Sequence, residues 1–130
     1  MELLTLNLLS QTFAIARLEQ DDPIPAWALG GTFASLTYTR DELSIVCEQQ
    51  LLPPGLKAER DRRALMVQGP LDFSLTGILS ALSGTLAQAG ISIFAISTYD
   101  TDYILVQEED LDHAIAALRE AGCTLQIAVD

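Results

Sequence analysis

Between Ala64 and Tyr99 the chain carries a single charged residue, Asp72. A surface helix shows charge on its outer face, so this stretch is expected to be mostly buried. It is not a membrane span. Ser80, Ser83, Gly84, Thr85, Gln88, Gly90 and Ser92 interrupt it, and a span needs about 18 near-continuous apolar residues. Its periodicity instead predicts packed elements. Residues 64–69 read as a strand ending at Gly69-Pro70. From Ser74 the apolar positions Leu75, Ile78, Leu79, Leu82, Leu86 and Ala89 recur every three or four residues, as in a helix. Asp72 or Ser74 is the expected N-cap and Gly90 the residue just past the C-terminus. Strands are expected at 91–98 and 103–107, separated by the turn Asp100-Thr101-Asp102. Asp110 then caps a helix through Leu111, Ala114, Ile115, Leu118 and Ala121, closed by Gly122, and a last strand covers 124–129. The order is β-α-β-β-α-β, the ferredoxin-like arrangement of an α+β fold.

The first half is less regular. Residues 12–18 alternate like a strand, and Asp21-Asp22-Pro23-Ile24-Pro25 begins a turn where the second half has its long helix. Strands are expected at 32–39 and 43–48, joined at Arg40-Asp41-Glu42. Pro53-Pro54-Gly55 breaks the chain, and the bases Lys57, Arg60, Arg62 and Arg63 read as a solvated linker or short helix. FASLTYTRD, residues 33–41, matches FAISTYDTD, residues 94–102, at Phe33/Phe94, Ala34/Ala95, Thr37/Thr98, Tyr38/Tyr99 and Asp41/Asp102, a constant offset of 61. Two related halves follow, 1–62 and 63–130, the first degenerate and without its long helix. Each is too small for a large core of its own.

Eighteen acids against seven bases give a net charge of −11. That disfavours nucleic acid and anionic membrane surfaces, which need a basic stripe. With 49% hydrophobic residues, disorder is excluded. The N-terminus has Glu2 and no basic region of a signal peptide. Cys47 and Cys123 form no CxxC and meet only one histidine, so buried reduced thiols in a cytoplasmic protein are expected, with no metal and no cofactor. His113, beside Asp112, is expected to be solvated, and no nucleophile–base pair is evident, so no catalytic residue is assigned.

The small residues opposite the apolar stripe of the first helix, Gly77, Ser80, Ala81, Ser83, Gly84, Ala87 and Gln88, suggest a second covered face, against the other half or a second subunit. The loop 69–77 leads into that helix, whose free N–H groups favour an anion such as a carboxylate. Ser74 and Thr76 add hydroxyl donors. Asp102, with Asp100 beside it, could hold an ammonium group. Together they would suit a zwitterion. The same residues serve equally as helix caps and turn formers.

DFSLTGILSALSGTLAQAGISIFAIST, residues 72–98, resembles the opening of an ACT domain. Gly77, Ala89, Gly90, Ile91, Ile93 and Ile96 match its pattern, with Thr76 in place of the usual proline. STYDTDYILV, residues 97–106, and DELSIVC, residues 41–47, resemble the short tandem-ACT proteins of bacteria, similar to the regulatory part of aspartate kinases and to the cytosolic arginine sensors. The resemblance implies two ACT halves binding a free amino acid at their interface. It implies ligand contacts from Thr98, Tyr99 and Asp102, from the stretch Asp72, Phe73, Ser74, Thr76 and Gly77, and from the first-half turn at Asp41. With the acidity of the chain, a basic or neutral amino acid is expected over an acidic one. The expected function is non-catalytic regulation by ligand binding, possible as a homodimer acting on another protein. The alternative is a ligand-free interaction module. The acylphosphatases share the ferredoxin-like order, but the loop 69–77 lacks their phosphate-cradling arginine.

Overall fold

The computed structural model describes residues 4–69 and 76–129. Its elements run β1 (Thr5–Leu18), a 3-10 turn (Ala26–Leu29), β2 (Ser35–Tyr38), β3 (Leu43–Glu48), a 3-10 turn (Gln49–Leu51) and β4 (Ala58–Val67). They continue with α1 (Ile78–Gln88), β5 (Phe94–Ser97), β6 (Asp102–Gln107), a 3-10 turn (Glu108–Asp110), α2 (Leu111–Glu120) and β7 (Thr124–Val129). Two compact units result. One joins the residues up to Ser10 with those from Arg63 onward, and the other is Gln11–Arg62. The strands β1 and β4 supply residues to both.

The unit from Arg63 onward has the expected β-α-β-β-α-β order. Within it β5 pairs β6 antiparallel, β6 lies beside β4, and β4 lies beside the start of β1. The last strand, β7, pairs β1 in parallel, with Thr5 opposite Thr124 and Asn7 opposite Gln126. The start of β1 therefore fills the place between β4 and β7. The amide of Gln68 donates to the Thr5 carbonyl at 2.8 Å, and that of Thr124 to Leu4 at 3.0 Å. This fifth strand was not expected from the sequence, which placed a strand only from residue 12. Leu6 and Leu8 alternate with Asn7 and turn inward. They meet Leu65, Val67, Ile104 and Val106 from the strands, Leu82 and Leu86 from α1, and Leu111, Ala114 and Leu118 from α2.

The helix α1 begins at Ile78, four residues later than Ser74. Gly77 holds its N-cap position in the left-handed region, at φ 83°, and no side chain caps it. The expected caps, Asp72 and Ser74, lie outside the described residues. The C-terminus follows the sequence closely. Gly90, at φ 77°, lets its amide reach the Ala87 carbonyl and that of Ile91 reach Leu86, both at 3.0 Å. This is a Schellman ending. Gly122, at φ 103°, ends α2 the same way, through Arg119 and Leu118. Asp110 stands at the N-cap of α2 without a capping hydrogen bond. Glu108 and Glu109 precede it, and their charge suits the positive end of the helix.

Two expectations need correction. The charge-free stretch is not mostly buried. Leu65, Val67, Leu82, Leu86 and Ile91 are, whereas Ser80, Gly84, Ala87 and Gln88 are exposed. Hydroxyls and small side chains face water at little cost, so absence of charge does not by itself mean burial. The basic cluster is neither linker nor helix, because residues 58–67 form β4. The amide of Arg17 on β1 donates to the Lys57 carbonyl at 3.0 Å, just ahead of it. A strand that places Glu59 and Asp61 in solvent has the composition of a loop. Asp61, at φ 61°, kinks it, and Gln49 clasps the kink by bonds of 2.6 Å from the Asp61 amide and 2.9 Å to its carboxylate.

The unit Gln11–Arg62 holds β3 between β2 and β1, both antiparallel to it. A 3-10 turn at Ala26–Leu29 replaces the long helix. Its core is built on Ala14, Ala16, Leu43, Ile45, Cys47 and Leu52, with Ala28 from the turn. Phe13 meets Phe33 edge to face at 5.6 Å. The buried Glu48 carboxylate accepts the Thr32 amide at 2.6 Å and its hydroxyl at 3.2 Å. A Cβ on Gly31 would sit 2.2 Å from Glu48 Oε2.

Candidate ligand site

The turn between β5 and β6 carries three of the six described site residues, Thr98, Tyr99 and Asp102. Ser97 lies opposite Asp102 at the end of the ladder. The Thr98 amide donates to the Thr101 carbonyl at 2.8 Å, and the Thr98 hydroxyl accepts the Thr101 amide at 3.3 Å. A threonine at this place thus closes the turn through its own side chain. The Ser97 hydroxyl donates to Asp102 Oδ1 at 2.6 Å. Tyr99 projects from the tip and is 83% exposed. Burial, and after it the negative charge of Asp100, raises the pKa of the Tyr103 phenol.

Thr101 was missed by the sequence reading. It is buried, and its hydroxyl donates to the Val67 carbonyl at 2.5 Å. Val67 ends β4, immediately before the loop that leads into α1. One hydroxyl therefore pins the turn to the start of that loop. The only sequence signal was the Thr98–Thr101 spacing of a side-chain-closed turn. At the far end of the loop, Thr76 and Gly77 are exposed. Asp72, Phe73 and Ser74 lie outside the described residues.

The first-half turn is built alike. The Thr39 amide donates to the Glu42 carbonyl at 3.0 Å, and the Thr39 hydroxyl accepts the amides of Asp41 and Glu42 at 3.2 and 3.1 Å. Arg17 Nη2 donates to the Asp41 carbonyl at 2.9 Å. The ladders equate Ser35 opposite Val46 with Phe94 opposite Leu105, and Tyr38 opposite Leu43 with Ser97 opposite Asp102. The equivalence is thus an offset of 59, not the 61 of the sequence match. Thr39 corresponds to Thr98, Asp41 to Asp100, and Leu43 to Asp102. A slip of two keeps every side chain on its own face, so the alternation could not reveal it.

Chemically, the second-half turn offers carboxylates and hydroxyls. Neither Asp100 nor Asp102 forms an ion pair among the described residues. Such a turn can hold a cation by charge-assisted hydrogen bonds. Both thiols, Cys47 and Cys123, are buried and free, and burial pushes their pKa up. His113 is exposed. Among the described residues no group of three or more His, Cys, Asp or Glu could hold a metal ion.

The family model of the ACT domain matches residues 57–120, and a model of a separate N-terminal domain matches residues 11–54. A crystal structure of an Agrobacterium tumefaciens protein is 38% identical, with a TM-score of 0.92 over 98% of this chain and 95% of that one. The cytosolic arginine sensor for mTORC1 subunit 1 of Bos taurus is 32% identical over 97 residues, 66% of this chain. The chain spans 30% of that relative's length. The regulatory subunit of aspartate kinase from Thermus thermophilus shares the fold, with a TM-score of 0.63 at 15% identity, over 89% of this chain and 96% of that one. The β-α-β-β-α-β unit with these helix ends and this turn, matched by that family model over residues 57–120, is an ACT domain.

Proposed function

We propose that this protein is a non-catalytic regulatory module that binds a free amino acid at the turn 98–102 and the loop leading into α1. The observation that carries the reading is the Thr101–Val67 hydrogen bond. It fastens an acidic turn beside a loop that ends at a helix N-terminus. Asp102, which keeps a second oxygen beyond its bond to Ser97, receives the ammonium group. Backbone N–H groups at the α1 end of the loop receive the carboxylate, and Tyr99 lies over the ligand. The acidic turn favours a basic or neutral amino acid over an acidic one. Arginine sensing by the bovine relative supports the ligand class. The buried free thiols are consistent with a reducing, cytoplasmic setting. Regulation follows where a partner protein binds the liganded arrangement with different affinity.

The Ser97–Asp102 bond also favours a second reading. A carboxylate already satisfied within its own hairpin serves a ligand-free interaction module. A thermal-shift screen over the twenty amino acids separates the two. Saturable stabilisation that disappears in Asp102→Ala supports the amino-acid site. No shift with any amino acid supports the interaction module.

A further inference from the structure

The strand β2 closes one side of the sheet in the unit Gln11–Arg62. It pairs β3, and its other edge pairs with nothing among the described residues. The ladder shows which backbone groups face outward. The Thr39 amide donates to the Glu42 carbonyl, so Thr37 opposite Ser44 and Ser35 opposite Val46 are the hydrogen-bonded pairs. Leu36 and Tyr38 therefore turn their N–H and C=O groups away from β3. Residues 32–39 contain no charge and no proline, the usual guards of an open edge. The side chains of Leu36 and Tyr38 share one face of the strand. Leu36 packs there against the core, as does Trp27 of the 3-10 turn. Tyr38 is 63% exposed, and Ile24 and Leu29 are 56% and 70% exposed. Gln20 Nε2 donates to the Tyr38 hydroxyl. That bond brings the exposed acids Glu19, Asp21 and Asp22 to the end of the edge. Asp22 Oδ2 keeps their turn closed by accepting the Glu19 amide at 2.9 Å. Of the nearby bases, Arg17 is engaged by Glu19 at 3.2 Å and by the Asp41 carbonyl. Arg40 is followed directly by Asp41 and Glu42.

We infer that β2 is a docking edge for an extended, basic segment of another protein. The segment adds a strand beside Ser35–Tyr38, and its backbone bonds to that of Leu36 and Tyr38. Its alternate apolar side chains lie on the face of Tyr38, and its lysines or arginines reach the acids of the turn 19–22. Charge selects this occupant. A second copy would bring the same acidic turn, and a net charge of −11, up to the edge. Like charges set against each other disfavour that pairing, whereas a basic strand is drawn to it. Two outward-facing residues make few bonds, so a dissociation constant on the order of tens of micromolar is expected. The inference does not rest on the amino-acid reading.

Fluorescence anisotropy of the full chain tests it, with a labelled decapeptide that alternates lysine and valine. A dissociation constant of about 10–100 µM is expected. A glutamate–valine decapeptide should bind about ten-fold more weakly or worse, and so should a lysine–glycine decapeptide of equal charge. Hydrogen exchange at the Leu36 and Tyr38 amides should slow in the complex. Tyr38→Pro removes one outward N–H and none of the bonds to β3. It should weaken binding about ten-fold, with an unchanged circular dichroism spectrum. D21K/D22K leaves the edge intact and reverses two exposed charges. It should weaken the lysine–valine complex about ten-fold and strengthen the glutamate–valine one. Absence of a lysine–valine complex at about 1 mM peptide would overturn the inference. So would equal binding of the three peptides, or binding unchanged in both variants. Protection of the Leu36 and Tyr38 amides that grows with protein concentration, without peptide, would also overturn it, because a second copy would then occupy the edge.

Discussion

At the scale of single residues, the turn depends on a hydroxyl that looks unimportant in the sequence. Thr101→Val keeps the shape of the side chain but removes the donor to Val67. A buried carbonyl left without its partner costs about 1–3 kcal/mol. Equilibrium denaturation should show that loss, and amino-acid binding should weaken with it. Full retention of both would remove Thr101 from the account. Gly31 is the second sensitive position. It has φ 76°, and an added Cβ would meet the carboxylate that holds Thr32. Gly31→Ala should therefore cost more than the roughly 1 kcal/mol expected for an unfavourable backbone conformation alone, and a thermal melt measures it. Thr101 and Gly31 were not legible beforehand for the same physical reason. What fixes each is a partner distant in the chain, Val67 or Glu48, and no local pattern encodes such a partner.

At the scale of elements, the helix ends were readable and the strands only partly so. Gly90 and Gly122 stand just past their helices because a left-handed residue is needed there, and that need is local. Gly90 has open space around it, so Gly90→Ala tests backbone conformation without a clash. It should cost about 1 kcal/mol, less than Gly31→Ala, when the two are compared by denaturant midpoint. An equal or greater loss at Gly90 would show that the two positions have been ranked wrongly. The strand β4 was misread because its charges suggested a loop, although pairing with β1 decides its state. The start of β1 was overlooked because its role, between β4 and β7, exists only in the assembled sheet. The inner repeat was seen two residues out of register, since identical letters outweighed a pairing that sequence does not display.

At the scale of the whole molecule, two separate apolar cores sit within a chain of net charge −11. Three groups in these units have raised pKa values: Cys47, Cys123 and Tyr103. Burial is the leading cause in each, so folding favours the protonated form. Stability from such groups is fully present below their unfolded values and is lost as pH rises through the folded ones. The urea midpoint should hold steady from about pH 7 up to the ordinary thiol value of 9.0, then fall. Stability that rises above that pH would contradict the burial of the thiols. The acidity itself was plain from composition. The sequence also placed Asp100 and Asp102 on one turn and tied the acidity to a ligand, whereas the fastening of that turn to the end of β4 became visible only in the fold.

The central claim is the amino-acid site. The most direct test is calorimetric titration of the full chain with each of the twenty amino acids, repeated on Asp102→Ala. A single saturable site is predicted for a basic or neutral amino acid, with heat that vanishes in the variant. Absence of binding by any amino acid, or binding of equal strength in Asp102→Ala, would contradict the claim.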